Sequence, residues 1–366
     1  MILRLKNRTK RLALQSFLIT LLVLVSLSIG GCGCVSYYSQ AIVGHTRIMC
    51  SRTPIEKILK TNNLDMESQN KLKLVLEVRA YAGEKLGLPK NKSYTVYSEI
   101  KGEYVGWNVY CAPKFSVQPK RWHFPIIGSV VYRGYFSKKK ALQFAGKMEE
   151  KDFDVFIGPI NAYSTLGWYD DPVLSSHLRL NPIRLAGLII HELAHQKYYV
   201  SGDSRFNEGF AVTVERAGVL RWLKATGRDD DIIKASRMWN EEDIKVARIL
   251  KARTELVDIY RSELNLKSLA KKKKSVFEDL KKDLRGVNRA EIDLPRTEGE
   301  GFEHNNAYLV PIDTYYSLVP VFQSLLDSLG GSLPEFFEKV EELGELPFEE
   351  RQREIESLQR RIKDNQ

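Results

Sequence analysis

The segment from Leu188 to Glu215 reads LIIHELAHQKYYVSGDSRFNEGFAVTVE, and the rest of the chain is organised around it. His191, Glu192 and His195 form H-E-x-x-H, and Asn207, Glu208 and Gly209 follow, with Glu208 thirteen residues after His195. An α-helix turns about 100° per residue, so positions four apart stack on one face and both imidazoles can be aimed at one point. Catalytic tetrahedral zinc takes three protein ligands and leaves its fourth position to water, and two histidines with one glutamate is an established set. His191, His195 and Glu208 are therefore candidate Zn2+ ligands, and Glu192 is the candidate general base beside the water.

A bare H-E-x-x-H string arises by chance in long chains, so its surroundings carry weight. Gly187, Leu188, Ile189 and Ile190 are an apolar approach suited to a buried helix, and Asn207 and Glu208 open a second helical pattern. Glu215 lies seven residues beyond Glu208, two turns on and about 20° off the same face. A carboxylate there can accept the other N–H of a ligand histidine and fix its tautomer.

With 366 residues, 43% apolar and 28% charged, the composition is that of a globular chain with room for a large core. The net charge of +10 includes Arg4, Lys6, Arg8, Lys10 and Arg11, which no acid within the first 31 residues offsets. The remaining surplus of five is that of a solvated surface, and no nucleic-acid motif accompanies it, so no nucleic-acid partner is expected.

Those basic residues, the apolar run Leu12 to Ile29 and then Gly30, Gly31 and Cys32 have the layout of a secretion signal. Small residues before a cysteine resemble the lipobox of bacterial lipoproteins, in which the Cys32 thiol would be acylated and become the new first residue. An uncleaved membrane anchor is the competing reading, since the apolar run is nearly long enough to span. Both place the following chain outside the cytoplasm, in the cell envelope and facing the periplasm. Gly33, rather than aspartate, follows Cys32, which in such lipoproteins goes with the outer membrane. Cys34, Cys50 and Cys111 remain; an oxidising compartment permits one bridge, such as Cys50 to Cys111, but the sequence does not choose the pair.

Periodicity predicts a helical stretch opening at Tyr37 to Ala41 and including Ile55 to Leu59, then a stronger helix from Met66 to Leu86 ended by Leu88-Pro89. From Ser93 to Phe136, β-branched and aromatic residues broken by glycine and proline predict strands of a twisted sheet. Helix is expected again over Lys138 to Glu150 and a strand over Phe153 to Ile157. The stretch Ala162 to Pro172, AYSTLGWYDDP, mixes aromatic, small and polar residues one element before the histidines. A strand edge there would pair with an extended peptide through main-chain hydrogen bonds, making Tyr163, Ser164, Thr165, Leu166, Gly167 and Trp168 candidate substrate contacts. The alternative is an ordinary strand and turn with Trp168 in the core.

Helix continues from Phe210 to Ala225, and a long lysine- and glutamate-rich helical region runs from Asp230 to Leu284. Its run Lys271 to Lys274 is a solvated face, with a membrane-surface role as the lesser alternative. Arg285 to Gly301 has the character of a loop, and Pro334 to Ile362 of one or two charged amphipathic helices. Between them, Tyr315, with Tyr308 next, is the candidate donor to the negative charge that develops on a scissile carbonyl oxygen. The fold expected is α+β: a signal peptide over 1–31, a mixed strand and helix lobe over 32–185, and over 186–366 the histidine- and glutamate-bearing helices with a mainly helical C-terminal lobe.

The blocks IGGCGCVSYYSQA, AYSTLGWYDDP, HELAHQ, FNEGFAVTVE and NNAYL…TYYSLVPVF, in order over most of the chain, resemble a family of bacterial lipoproteins assigned as aminopeptidases. More distantly, H-E-L-A-H with N-E-G-F-A resembles the alanyl-aminopeptidase-like and thermolysin-like zinc peptidases. That resemblance implies a zincin-like fold, His191, His195 and Glu208 as ligands, Glu192 as base and a peptide substrate. The connection to the third ligand is shorter here than in those peptidases. Their aminopeptidase branch carries a substrate-amine glutamate in a Gly-Ala-Met-Glu-Asn block; AYSTLGW stands in its place without an acid, leaving Asp170 and Asp171 as the nearest. The function expected is a lipid-anchored zinc aminopeptidase. A zinc endopeptidase or processing protease, and a catalytically silent zinc-binding envelope lipoprotein, are the alternatives.

Overall fold

The computed structural model of the chain describes residues 32–61, 63–124, 128–160, 164–165, 168–285 and 304–364. The apolar run Leu12 to Ile29 lies outside them, as does the expected loop after Arg285. Helix α1 spans Cys32–Cys50. The helical stretch expected to reach Leu59 is interrupted: Thr53–Pro54 form a short strand, β1, before α2 (Ile55–Thr61), because proline cannot continue a helix begun before it. Asp65 then caps α3 (Met66–Lys85), its carboxylate accepting the Ser68 N–H at 2.9 Å. The chain leaves α3 through Gly87, whose φ of +73° suits glycine.

The strands follow as β2 (Val96–Ser98), β3 (Gly106–Pro113), β4 (Trp122–Phe124), β5 (Gly128–Val130) and β6 (Tyr132–Tyr135). After them come α4 (Lys138–Glu149), β7 (Phe153–Ile160) and β8 (Val173–Leu174). Among the described residues they pair in three small sheets rather than the one expected. β3 lies between β6 and β7, antiparallel to both; β4 pairs with β5; β2 lies between β1 and β8. Burial explains the split. Tyr94 and Tyr97 of the first strand segment bury in the helical core, whereas the two faces of β3 bury elsewhere. Val109 and Cys111 face Ala141, Ala145 and Met148 of α4, and Tyr110 and Ala112 face the opposite cluster, as the two-residue period of a strand requires.

A single 3-10 turn (His177–Arg179) leads into α5 (Pro182–Lys197) and α6 (Ser204–Ala225). The long helical region beyond is two helices, α7 (Asp229–Arg261) and α8 (Leu266–Arg285). Ser262 is extended, so the chain folds back, and Val246, Ile249 and Leu256 bury with Val276, Phe277 and Leu280. Lys271, Lys272 and Lys274 are exposed as expected, but Lys273 reaches Asp154 at 2.5 Å and the Lys114 carbonyl at 2.9 Å, tying α8 to the β7 edge. The C-terminal helices are α9 (Asn306–Tyr316), α10 (Val319–Ser328), α11 (Leu333–Glu345) and α12 (Phe348–Asp364).

The largest core joins α3, α5, α6 and the C-terminal helices through Leu72, Leu185, Phe206, Phe210, Trp222 and Phe336. Phe210 stacks on Phe336 at 5.9 Å, while the Phe322 ring meets Phe206 edge-on at 5.1 Å. Each such side chain contributes about 1.5–3 kcal/mol by burial, which outweighs the roughly 0.5–1 kcal/mol that Gly187 costs in the middle of α5. The architecture is thus α+β, mainly helical with small sheets. Among the described residues no helix is long and apolar enough to cross a membrane. Cys50, exposed, and Cys111, buried, are both free, so they do not form the bridge considered above.

Candidate metal centre

Asn181 starts the histidine helix, its side chain accepting the Arg184 N–H at 2.9 Å with Pro182 in the first turn. His191 and His195, one turn apart on α5, bring their Nε2 atoms to 3.1 Å. Glu208, in the second turn of α6, places Oε2 3.2 Å from His191 Nε2 and 3.4 Å from His195 Nε2. The short link between α5 and α6 is closed by Asn207, whose side chain accepts from the Val200 N–H and donates to the Val200 carbonyl, both at 2.8 Å. Gly202, with φ +81°, completes the turn. Asp203 caps α6 and is clamped by Arg351 of α12 at 3.0 Å. A tetrahedral zinc at about 2.0–2.1 Å from its ligands spaces them about 3.3 Å apart, and the three measured separations bracket that value. Histidine and carboxylate atoms fit such a cation.

Glu215 lies behind His191, its Oε2 3.0 Å from Nδ1. Gly187 makes room for it, because a Cβ there would stand 2.7 Å from Glu215 Oε1. Behind Glu215 sits a buried charge network: Glu242 of α7, 2% exposed, accepts from Arg184 at 3.1 Å, Arg216 at 3.2 Å and the Tyr316 hydroxyl at 3.2 Å. Arg216 also reaches Asp243 at 2.8 Å. Burial pulls the His191 imidazole down, but the Glu208 and Glu215 carboxylates outweigh it and hold it well above its ordinary range. Burial raises the Glu208 carboxyl, and the two imidazoles more than reverse this, bringing it to about 2. Glu192 is buried on the adjacent face, and burial, opposed by the same imidazoles, leaves its carboxyl raised.

A family model described as "Putative aminopeptidase" matches residues 36–355. The chain belongs to this family. No curated protein and no solved structure shows significant similarity to it.

Tyrosines ring the centre of this aminopeptidase-family chain. Tyr315 lies nearly parallel to the His191 ring at 6.4 Å, and the Glu208 charge, then burial, push its phenol well up. Tyr308 does not share that place: it meets Phe156 and His304 edge-on and is raised to about 12 by burial alone. Sequence reading missed three others. Tyr199 meets His195 edge-on at 6.3 Å, and Tyr110 of β3 and Tyr132 of β6 meet each other at 5.8 Å. Burial raises all three phenols, and the Glu208 charge adds to each. Only Tyr199, two residues beyond the histidine helix, sits close enough in sequence to have been found.

Of the expected substrate stretch, Tyr163, Leu166 and Gly167 lie outside the described residues. The described part is a turn, not a strand edge: the Trp168 N–H donates to the Thr165 carbonyl at 3.1 Å. The stretch folds on Asp171, fully buried, which accepts from Ser164 Oγ at 3.1 Å, Thr165 N–H at 3.0 Å, Thr165 Oγ1 at 2.7 Å and Gln196 Nε2 at 3.2 Å. The Thr165 and Trp168 N–H groups are both spent within this turn and are not offered to an extended peptide. Trp168 is 67% exposed, which excludes the alternative that buried it in the core. Gln196 follows His195 and also bonds Ser93 and Asn91, so α5 is sewn to two loops on its Glu192 side.

Tyr94, between those loops, is unusual. Its φ of +62° puts a bulky residue in the left-handed region, and its hydroxyl is buried with no hydrogen-bond partner among the described residues. The first costs about 1–2 kcal/mol and the second about 1–3 kcal/mol.

Proposed function

We propose that the protein is a zinc-dependent aminopeptidase with a zincin-like site, anchored in the cell envelope by a lipid on Cys32. The observation that carries this reading is the convergence of His191 Nε2, His195 Nε2 and Glu208 Oε2 at 3.1–3.4 Å beside the buried Glu192. When bound, zinc supplies Lewis acidity toward water and the peptide carbonyl. Glu192 accepts a proton from the attacking water and returns it to the leaving amine, and its raised affinity for protons suits both duties. Glu215 accepts the His191 Nδ1–H and so turns Nε2 toward the ligand centre. Tyr315, whose phenol is protonated at neutral pH as a tyrosine ordinarily is, donates toward the carbonyl oxygen as negative charge grows there. The turn bearing Ser164, Thr165 and Trp168 borders the substrate, and exposed Trp168 offers an incoming side chain an aromatic surface.

The anchor reading rests on sequence: small residues precede Cys32 and a basic, apolar leader precedes them. It puts the chain on the periplasmic side, at the outer membrane.

One observation favours an endopeptidase as the second reading. Asp171, an acid close to the centre, spends its oxygens on Ser164, Thr165 and Gln196 and has none left for a substrate amine. Comparing free-amine peptides with their acetylated forms separates the two, since an aminopeptidase cleaves only the former. Glu192→Gln tests the shared chemistry. The variant is expected to keep its metal and lose turnover, and cleavage at the parent rate would overturn the assignment.

A further inference from the structure

The first turn of α6 and the last turn of α9 bring together charges that the ligand cluster does not use. Asp313 of α9, buried, sits between two guanidinium groups: Arg205 Nε of α6 lies 3.5 Å from its Oδ2, and Arg253 Nε of α7 lies 3.4 Å from its Oδ1. Arg205 Nε also donates to Ser317 Oγ at 3.0 Å. Among the described residues no other acid pairs with either arginine, so one carboxylate offsets two positive charges. Neither guanidinium closes on Asp313 with its terminal amino groups, the fork geometry that gives arginine–carboxylate contacts their strength. Those amino groups make no hydrogen bond with another described residue, and none of them is sealed from the surface. The Arg253 side chain is nevertheless only 19% exposed. Burial draws its guanidinium below the ordinary range; Asp313 opposes this and Arg205 adds to it.

Two elements of the metal centre carry this group. Arg205 precedes Glu208 by three residues on α6, so the two are neighbours on the helix surface, about 5–6 Å apart at Cβ. Asp313 precedes Tyr315 by two residues on α9, and the Tyr315 ring lies 6.4 Å from that of His191. An extended peptide spans about 3.3–3.6 Å per residue, so a group one to three residues from the bond cut comes within reach of the arginines. Packing alone would be served by one arginine on Asp313, and a second, largely buried charge with unbonded donors is costly. Terminal N–H groups from two forks suit the planar pair of oxygens of a carboxylate. We propose that Arg205 and Arg253 form a subsite for a carboxylate of the substrate, supplied by the free C-terminus of a short peptide or by an acidic side chain. Its part in turnover rests on the peptidase reading above; its binding of a carboxylate does not.

Matched pairs of short peptides test it: each free acid against its C-terminal amide, and glutamate against glutamine at each position. In the zinc-loaded protein, one charged member is expected to show kcat/KM at least about tenfold above its neutral mate. A preference in the first kind of pair identifies the C-terminus as the source, and in the second the side chain. Arg205→Gln and Arg253→Gln, checked for folding by circular dichroism and for metal content, are each expected to bring that ratio to within about threefold of one. No preference in any pair, or one that survives either substitution, would overturn the subsite. Arg205, 43% exposed, decides the matter alone should Arg253→Gln not fold. Should the parent cleave no peptide, the peptidase reading fails, and calorimetric binding of the same pairs decides the subsite. The charged member is then expected to bind the parent at least about tenfold more tightly than its mate, and Arg205→Gln to abolish the difference. Binding of neither member, or a difference indifferent to Arg205, would overturn it.

Discussion

His191 and His195 occupy one face of the same helix yet are supported in different ways. His191 has its Nδ1 bonded to Glu215, and Glu215 has Arg184 and Arg216 behind it, both gripped by Glu242. His195 has a buried Nδ1 with no partner among the described residues and the edge of Tyr199 against its ring. A ligand whose far nitrogen is bonded keeps its tautomer and orientation, whereas one held by packing depends on the helix that carries it. The difference follows from position. His191 faces α6 and, through it, α7; His195 is in the last turn of α5, where the chain departs toward Asp203.

Removing Glu242 is the strongest way to break this contrast. Glu242→Ala strands Arg184 and half of Arg216 in a buried site, a change expected to cost about 3–5 kcal/mol in denaturant unfolding of the metal-free protein. A loss below about 1 kcal/mol would mean the His191 side is not braced as described. Next in size is Glu215→Ala, expected to lower metal affinity about 10–100-fold in competition with a chelator. Tyr199→Phe, its counterpart beside His195, is expected to change affinity less than threefold; equal losses would erase the asymmetry. The smallest effect sharpens the picture. Gly187→Ala improves helix propensity by about 0.5–1 kcal/mol but thrusts a methyl into Glu215 Oε1. Its signature is metal affinity lowered several-fold while stability rises or holds, and both falling together would point to a packing defect instead.

What the sequence made legible was local. Two histidines four apart need only helix geometry to converge, and Glu208 and Glu215 share a face of the next helix by periodicity, so the candidate cluster that the structure brings together could be read from local pattern. Helix α3 and strands β3 and β7 were equally clear, from apolar period and β-branched content. Expectations failed where partners distant in sequence decide. Nothing within SYTVYSEI tells that Tyr94 and Tyr97 bury among helices rather than against β3. Of the two acids in AYSTLGWYDDP, Asp171 is occupied by four donors, one of them from the distant Gln196, which the stretch alone does not reveal. Glu242 lies within a lysine- and glutamate-rich helix where most charges are solvated, and only the two arginines from α5 and α6 single it out.

The central claim is that His191, His195 and Glu208 hold one metal ion that the peptidase reading requires. Zinc titration of the metal-stripped chain against a chromophoric chelator measures this directly, with Glu208→Ala alongside and circular dichroism to confirm that both are folded. The account predicts one tight equivalent in the parent and an affinity lower by about a hundredfold or more in the variant. No tight binding in the parent, or an affinity indifferent to Glu208, would contradict it.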